Sequence, residues 1–225
     1  SLDPNDPGAT DASLRGSTSA EDVYEPGSTG KIITMAAALE EGIVTPTDEY
    51  EAPHQYTTEN NQTFQDTHDY GTRKLTVNGI LAKSSNTGTI QIGEQMSAAT
   101  YYDYLEAFGI GQPTGVGLPI ESSGLLNPLE TLDGRSRYAM LDGQAYSVTA
   151  LQAVQVYATI ANDGVLSQPT LVRGFEDVDG TFTPYREPST TQVISTTTAE
   201  TLQKMLSHSQ PPGYRRVKPR GRKIE

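Results

Sequence analysis

The stretch Glu25-Pro26-Gly27-Ser28-Thr29-Gly30-Lys31 stands directly ahead of Ile32-Ile33-Thr34-Met35-Ala36-Ala37-Ala38-Leu39. Pro26-Gly27 reads as a turn and the run after it as a helix. The apolar residues fall on every side of that helix, so the spacing predicts one buried at the centre of a domain. Glu40-Glu41-Gly42 closes it, with Gly42 suited to the left-handed position past the last turn. Ser28 and Lys31 lie three residues apart, on one face of the helix start. This S-x-x-K pattern suits nucleophilic catalysis. The lysine can reach the serine hydroxyl, and unpaired N–H groups at a helix start can receive a developing oxyanion. A buried lysine also loses its proton more readily and can then act as a base. Taken alone, the pattern equally describes a serine N-cap with a snorkelling lysine.

Working outward, Thr76 can cap a short helix carrying Val77, Ile80 and Leu81, which runs into Lys83-Ser84-Ser85-Asn86. A second helix is expected through Thr89, Ile90, Ile92 and Met96. Ser97 caps a third, with Tyr101, Tyr104, Leu105 and Phe108 on one side and Gly109 at its end. Ser84 and Asn86 form S-x-N at a helix junction. Ser84 can relay a proton there, and Asn86 offers two donors and an acceptor to a substrate amide. By itself, this motif is again an ordinary cap.

Residues 43–74 read as a polar surface excursion with short extended pieces, and 109–128 as an ordered Gly- and Pro-rich loop. The last strong helix is expected at 147–163, capped by Thr149 and stopped by Gly164. Its apolar face is expected to be Leu151, Val154, Tyr157, Ala158 and Ala161. Beyond it, extended segments are expected near 166–174 and 182–195, then a short helix near 198–207. Asp66-Thr67-His68-Asp69 invites a site reading at His68 but reads as polar loop. Glu40-Glu41 and Asp48-Glu49 read as solvated charge.

The 225 residues suffice for one large domain, and 35% hydrophobic content allows a sizeable core. A formal charge of -12 argues against nucleic acid or anionic lipid as partners. The absence of cysteine removes disulfides, thiol catalysis and cysteine metal sites. His54, His68 and His208 lack metal-ligand spacing, so neither metal nor organic cofactor is expected. No apolar run approaches the roughly 20 residues that span a bilayer, and no signal peptide opens the chain, so no membrane anchor is expected within it.

Together, the motifs carry a resemblance. Glu25 to Lys31 resembles the nucleophile motif of class B penicillin-binding proteins, the D,D-transpeptidases of peptidoglycan synthesis in division and elongation. Leu81-Ala82-Lys83-Ser84-Ser85-Asn86-Thr87-Gly88 is similar to that family's second motif. Phe108-Gly109-Ile110-Gly111, Thr114-Gly115, Gly117-Leu118-Pro119 and Ser122 to Pro128 resemble its glycine-rich segment. Gly143-Gln144 with Ser147 to Gln152, and Ile160 to Gly164, resemble the two ends of its late helix. The similarity runs in order over about residues 20–207.

The resemblance implies an α+β fold of the penicillin-binding transpeptidase and serine β-lactamase type. The helical part would be largely present, and much of the antiparallel sheet missing at both ends. Helices left without that sheet would expose apolar faces and favour dimerisation or poor solubility. The resemblance also implies catalytic Ser28, Lys31, Ser84 and Asn86, with Ser28 and Asn86 touching substrate. Lys31 would deprotonate Ser28, which attacks the penultimate D-Ala carbonyl of a stem peptide. The implied partners are peptidoglycan stem peptides, β-lactams and, through the parent protein, membrane proteins of division or elongation. The implied location is the extracytoplasmic face of a bacterial cell membrane.

One departure stands out. The family's third motif, K-T-G, occurs nowhere in the sequence. Pro212-Gly213-Tyr214-Arg215 resembles its lead-in and Lys223-Ile224 its continuation, but Arg216 to Arg222 resembles nothing in the family. This points to a local frame error, a damaged gene copy or an engineered alteration. The expected organisation is a partial transpeptidase domain over 1–214 and a departing basic tail over 215–225, which holds six basic residues and one acid. Two alternatives remain beside the transpeptidase: a catalytically impaired penicillin-recognising sensor domain and a serine β-lactamase.

Overall fold

The computed structural model describes residues 5–11, 15–185, 187 and 189–208. Helix α1 (Thr18–Glu21) leads through β1 (Val23–Tyr24) into a 3-10 turn, Gly27–Thr29, and then the central helix α2 (Lys31–Glu40). Every residue of α2 from Lys31 to Ala38 is buried. Its three consecutive alanines let neighbouring elements approach closely, and Thr34 donates its hydroxyl to the Leu141 carbonyl at 2.6 Å. Gly42 takes a positive φ of 65° beyond its end. The central helix, buried from Lys31 to Ala38, is therefore as the sequence predicts.

Strands β2 (Glu49–Ala52), β3 (Gln55–Thr57), β4 (Thr63–Gln65) and β5 (Arg73–Thr76) make up the polar excursion. They pair as two antiparallel ladders, β2 with β5 and β3 with β4. Helices α3 (Val77–Lys83), α4 (Asn86–Gly93) and α5 (Ala98–Ala107) come next. The expected caps Thr76 and Ser97 accept from the N–H groups of Gly79 and Thr100. Helix α6 (Gly134–Ala139) and a 3-10 turn, Met140–Asp142, lead to β6 (Val148–Thr149) and α7 (Ala150–Ala161). Thr149 and Gln152 form a reciprocal capping box at the start of α7. One continuous core joins Ile32, Met35, Ile80, Ile90, Leu105, Tyr146 and Ile160.

Several expectations are corrected. Helix α7 buries Gln152, Val156, Thr159 and Ile160, not the anticipated stripe. Val154 is 65% exposed and Tyr157 38%. The buried polar residues are satisfied: Gln152 Nε2 donates to the Gln112 and Ser123 carbonyls, at 2.9 and 2.8 Å, and Thr159 donates to the Gln155 carbonyl. Polar side chains that find partners lose their penalty for burial, so apolar spacing misread the face. After Gly164 there are four short strands instead of two: β7 (Val165–Ser167), β8 (Gly174–Glu176), β9 (Phe182–Pro184) and β10 (Thr190–Gln192). The closing helix α8 (Thr196–His208) is longer than expected. Glu40 is half-buried and accepts from the Ser195 N–H and hydroxyl, so its charge anchors the start of α8.

The described strands form five separate two-stranded antiparallel sheets. This is the α+β arrangement expected, with its helical part in place and no wide sheet among the described residues. The basic segment 215–225 and its flank at 212–214 lie outside the described residues.

Candidate active site

Ser28 sits on the 3-10 turn ahead of α2, with its side chain exposed. The turn is fixed by backbone more than by side chains. Gly27 has a φ of 54° and donates its N–H to the Gly143 carbonyl at 2.8 Å. Gly143 has a φ of 86°, and any Cβ there would run into the Gly27 backbone. Only glycine meets both demands. Thr29 folds its hydroxyl back to the Pro26 carbonyl, and Tyr157 donates to the Thr29 carbonyl at 3.0 Å. The N–H groups of Gly27, Thr29 and Gly30 all have backbone acceptors, whereas that of Ser28 has none among the described residues. A free N–H beside an exposed hydroxyl is the arrangement an oxyanion requires.

Lys31 lies directly beneath, 1% exposed. Its Nζ donates to the Ser84 carbonyl at 2.8 Å, to Ser84 Oγ at 3.2 Å and to Asn86 Oδ1. An ammonium has three protons, and these acceptors use all of them. The structure thus brings Lys31, Ser84 and Asn86 into direct contact. The expected reach from Lys31 to the Ser28 hydroxyl is not made in this state: among the described residues that hydroxyl has no hydrogen bond. Burial pulls the Lys31 amine down to about 8, against the opposing charges of Asp142 and Asp66.

Ser84 is the C-cap of α3 and adopts the left-handed conformation, φ 55° and ψ 40°. For a residue with a Cβ this costs about 1–2 kcal/mol. The Lys31 contact with the Ser84 carbonyl helps hold it there. Ser85 caps α4 by accepting the Gly88 N–H.

Asp66 underpins the whole junction. It is 6% exposed and accepts from the backbone N–H of Asn86 at 2.6 Å, that of Thr87 at 3.1 Å, and the Ser85 hydroxyl. Arg73 pairs with it at 3.3 Å. Next to it, the Gln65 carbonyl accepts from Asn86 Nδ2 at 2.9 Å. In the sequence Asp66 is hidden inside a polar loop whose conspicuous residue is His68. That histidine is exposed and packs edge-on against Tyr70, as a loop residue does. A surface pocket of about 440 Å³ opens beside Ser84, Lys83, Arg73 and His68. Among the described residues, no group of three or more His, Asp or Glu side chains is arranged to hold a metal ion. No described helix is long and apolar enough to cross a membrane.

The chain matches the model of the penicillin-binding protein transpeptidase domain over residues 3–223. It is 39% identical over 191 residues to the penicillin-binding protein PbpB of Mycolicibacterium smegmatis, covering 85% of this chain and 29% of that protein. It is 35% identical over 202 residues to PbpB of Mycobacterium tuberculosis, covering 88% and 30%. Among solved structures, penicillin-binding protein 3 of M. tuberculosis complexed with aztreonam superposes with a TM-score of 0.83 at 35% identity, covering 89% of this chain and 45% of that one. The chain therefore spans under a third of these two curated relatives. With a buried lysine joined to an S-x-N turn beneath an exposed serine, and a family match over nearly all of its length, this chain belongs to the transpeptidase-domain family of penicillin-binding proteins.

Proposed function

We propose that this chain is the nucleophile-bearing part of a peptidoglycan D,D-transpeptidase, with Ser28 as nucleophile and Lys31 as base. The observation that carries the reading is the buried Lys31 amine, held by Ser84 and Asn86 below the exposed Ser28. Once the ammonium gives up a proton, its nitrogen has a lone pair to accept the Ser28 proton, directly or through Ser84. Ser28 Oγ then bonds to the penultimate D-Ala carbonyl, and the free Ser28 N–H receives the oxyanion. The peptide bond to the terminal D-Ala breaks, and that residue leaves carrying the proton. An amine of a neighbouring strand then attacks the ester and regenerates Ser28. Asn86, through its amide, orients the stem peptide. β-Lactams, which mimic D-Ala-D-Ala, would acylate the same serine.

We infer that residues 1–214 act as one partial domain in a longer parent protein. That protein would work at the extracytoplasmic face of a bacterial membrane beside division or elongation proteins. The sequence carries no K-T-G, so acyl transfer by this chain by itself is expected to be slow. Loss of one oxyanion donor alone costs about 10²–10³ in rate.

Incubation with a fluorescent penicillin, followed by mass mapping, tests the proposal. A slow, stable adduct on Ser28 that disappears in Ser28→Ala is expected. Equal labelling of Ser28→Ala would overturn the site, and rapid hydrolysis of the adduct would indicate a β-lactamase instead.

A further inference from the structure

Asp142 ends the 3-10 turn Met140–Asp142 and is 6% exposed. Its Oδ1 is buried without a hydrogen-bond partner. Leaving a buried acceptor unpaired is unfavourable, and more so when it is charged. The proposed acyl transfer makes no use of this group.

The turn is held in place from three sides. The Leu141 carbonyl accepts from Thr34 on α2 at 2.6 Å, and the Met140 carbonyl from the Tyr101 hydroxyl on α5 at 2.9 Å. The Gly143 carbonyl accepts from Gly27 at 2.8 Å, one residue before Ser28. These anchors seat the turn against the start of α2 and the turn that carries Ser28.

The charged groups that face Asp142 are Lys31 from α2, Arg135 from α6 and Glu25 ahead of the nucleophile turn. Tyr101 on α5 and Tyr146 in the next loop add phenols to its surroundings. Arg135 and Glu25 are exposed, which leaves Lys31 as the buried cation. The other carboxylate near Lys31, Asp66, is already engaged by Arg73. The three hydrogen bonds of the Lys31 ammonium go to neutral oxygens, so none of its direct contacts matches its charge. Two buried groups of opposite charge are thus each left without a hydrogen-bonded counter-charge.

We propose that Asp142 is a positioning residue acting through Lys31: its buried carboxylate is the counter-charge that holds the lysine as an ammonium and so governs when the amine can take the Ser28 proton. This rests on the reading of Lys31 as the base. Electrostatics sets the sign. An ionised Asp142 favours the ammonium, and removing its charge frees the neutral amine at lower pH.

The test is an NMR titration of the intact chain carrying ¹³C-labelled lysine and aspartate, with the Lys31 signal assigned by Lys31→Arg. Asp142→Asn should lower the Lys31 midpoint by about one pH unit, whereas Glu25→Gln, at an exposed site, should leave it in place. An unchanged midpoint in folded Asp142→Asn overturns the proposal. A second measurement needs no variant at this site. In the parent chain the Asp142 carboxyl carbon should show a second inflection at the Lys31 midpoint, as coupled groups do. Its absence would also overturn the proposal. Neither readout requires acyl transfer, so the two failures are distinguishable: failure of Ser28 to label sinks the functional reading, and an unchanged Lys31 midpoint sinks the counter-charge role of Asp142.

Discussion

The region around Lys31 and the outer face of α7 make opposite use of similar materials. At Lys31 a charged amine is buried and joined to a polar network through Ser84, Asn86 and Asp66, with Asp142 Oδ1 left unpaired nearby. On α7 the apolar side chains Val154 and Tyr157 face outward, while Gln152 and Thr159 are packed inside. The difference teaches that a polar side chain with partners at hand can take an interior position ahead of an apolar neighbour. Around Lys31, many weak interactions determine one arrangement. On the outer face of α7, Val154 is open to solvent, while Tyr157 is tied at its hydroxyl to the Thr29 carbonyl.

Substitutions can break this contrast. Asp66→Ala removes the acceptor of two backbone N–H groups and a hydroxyl and leaves Arg73 unpaired. It should cost about 3–5 kcal/mol, read as a fall in the midpoint of chemical denaturation. A loss below about 1 kcal/mol would mean that the junction is held by other contacts. On α7 the two faces should separate cleanly. Ile160→Ala, on the buried side, should cost about 2–4 kcal/mol. Val154→Ala, on the exposed side, should stay within about 0.5 kcal/mol. If the two costs were equal, the outward face would be covered in solution, and sedimentation velocity would reveal the self-association.

A separate effect concerns protonation. With the Lys31 amine at about 8, penicillin acylation should rise with pH and level off above that value. The rate rises, not falls, because the neutral amine is the base. Between pH 7 and pH 9 the neutral fraction grows about tenfold, equivalent to about 1.4 kcal/mol. A rate independent of pH over that range would remove Lys31 as the base.

Much of the site could be read in the sequence because its parts are local. Ser28 and Lys31 lie together at one helix start, and Ser84 and Asn86 at a helix junction capped by Ser85; each pair has a residue-type signature. The helix of buried alanines and isoleucines declared its own central position. The supports were not legible. Asp66 reaches Asn86 across 20 positions and an Arg73 pair, and nothing in Asp66-Thr67-His68-Asp69 distinguishes a buried carboxylate from loop charge. Asp142 faces Lys31 from more than a hundred residues away. The α7 face was misread because the carbonyls that satisfy Gln152 come from the loop at 109–124, outside any helical window.

The contact between Gly27 and Gly143 bears on how this site can change over generations. A side chain at position 143 meets backbone, which cannot step aside as a flexible side chain could. Side chains at 143 are therefore closed as a route by which the turn carrying Ser28 could be remodelled. The neighbouring contact, in which the Ala145 nitrogen donates to the exposed Glu25 carboxylate at 2.9 Å, leaves more room for inherited variation at position 25.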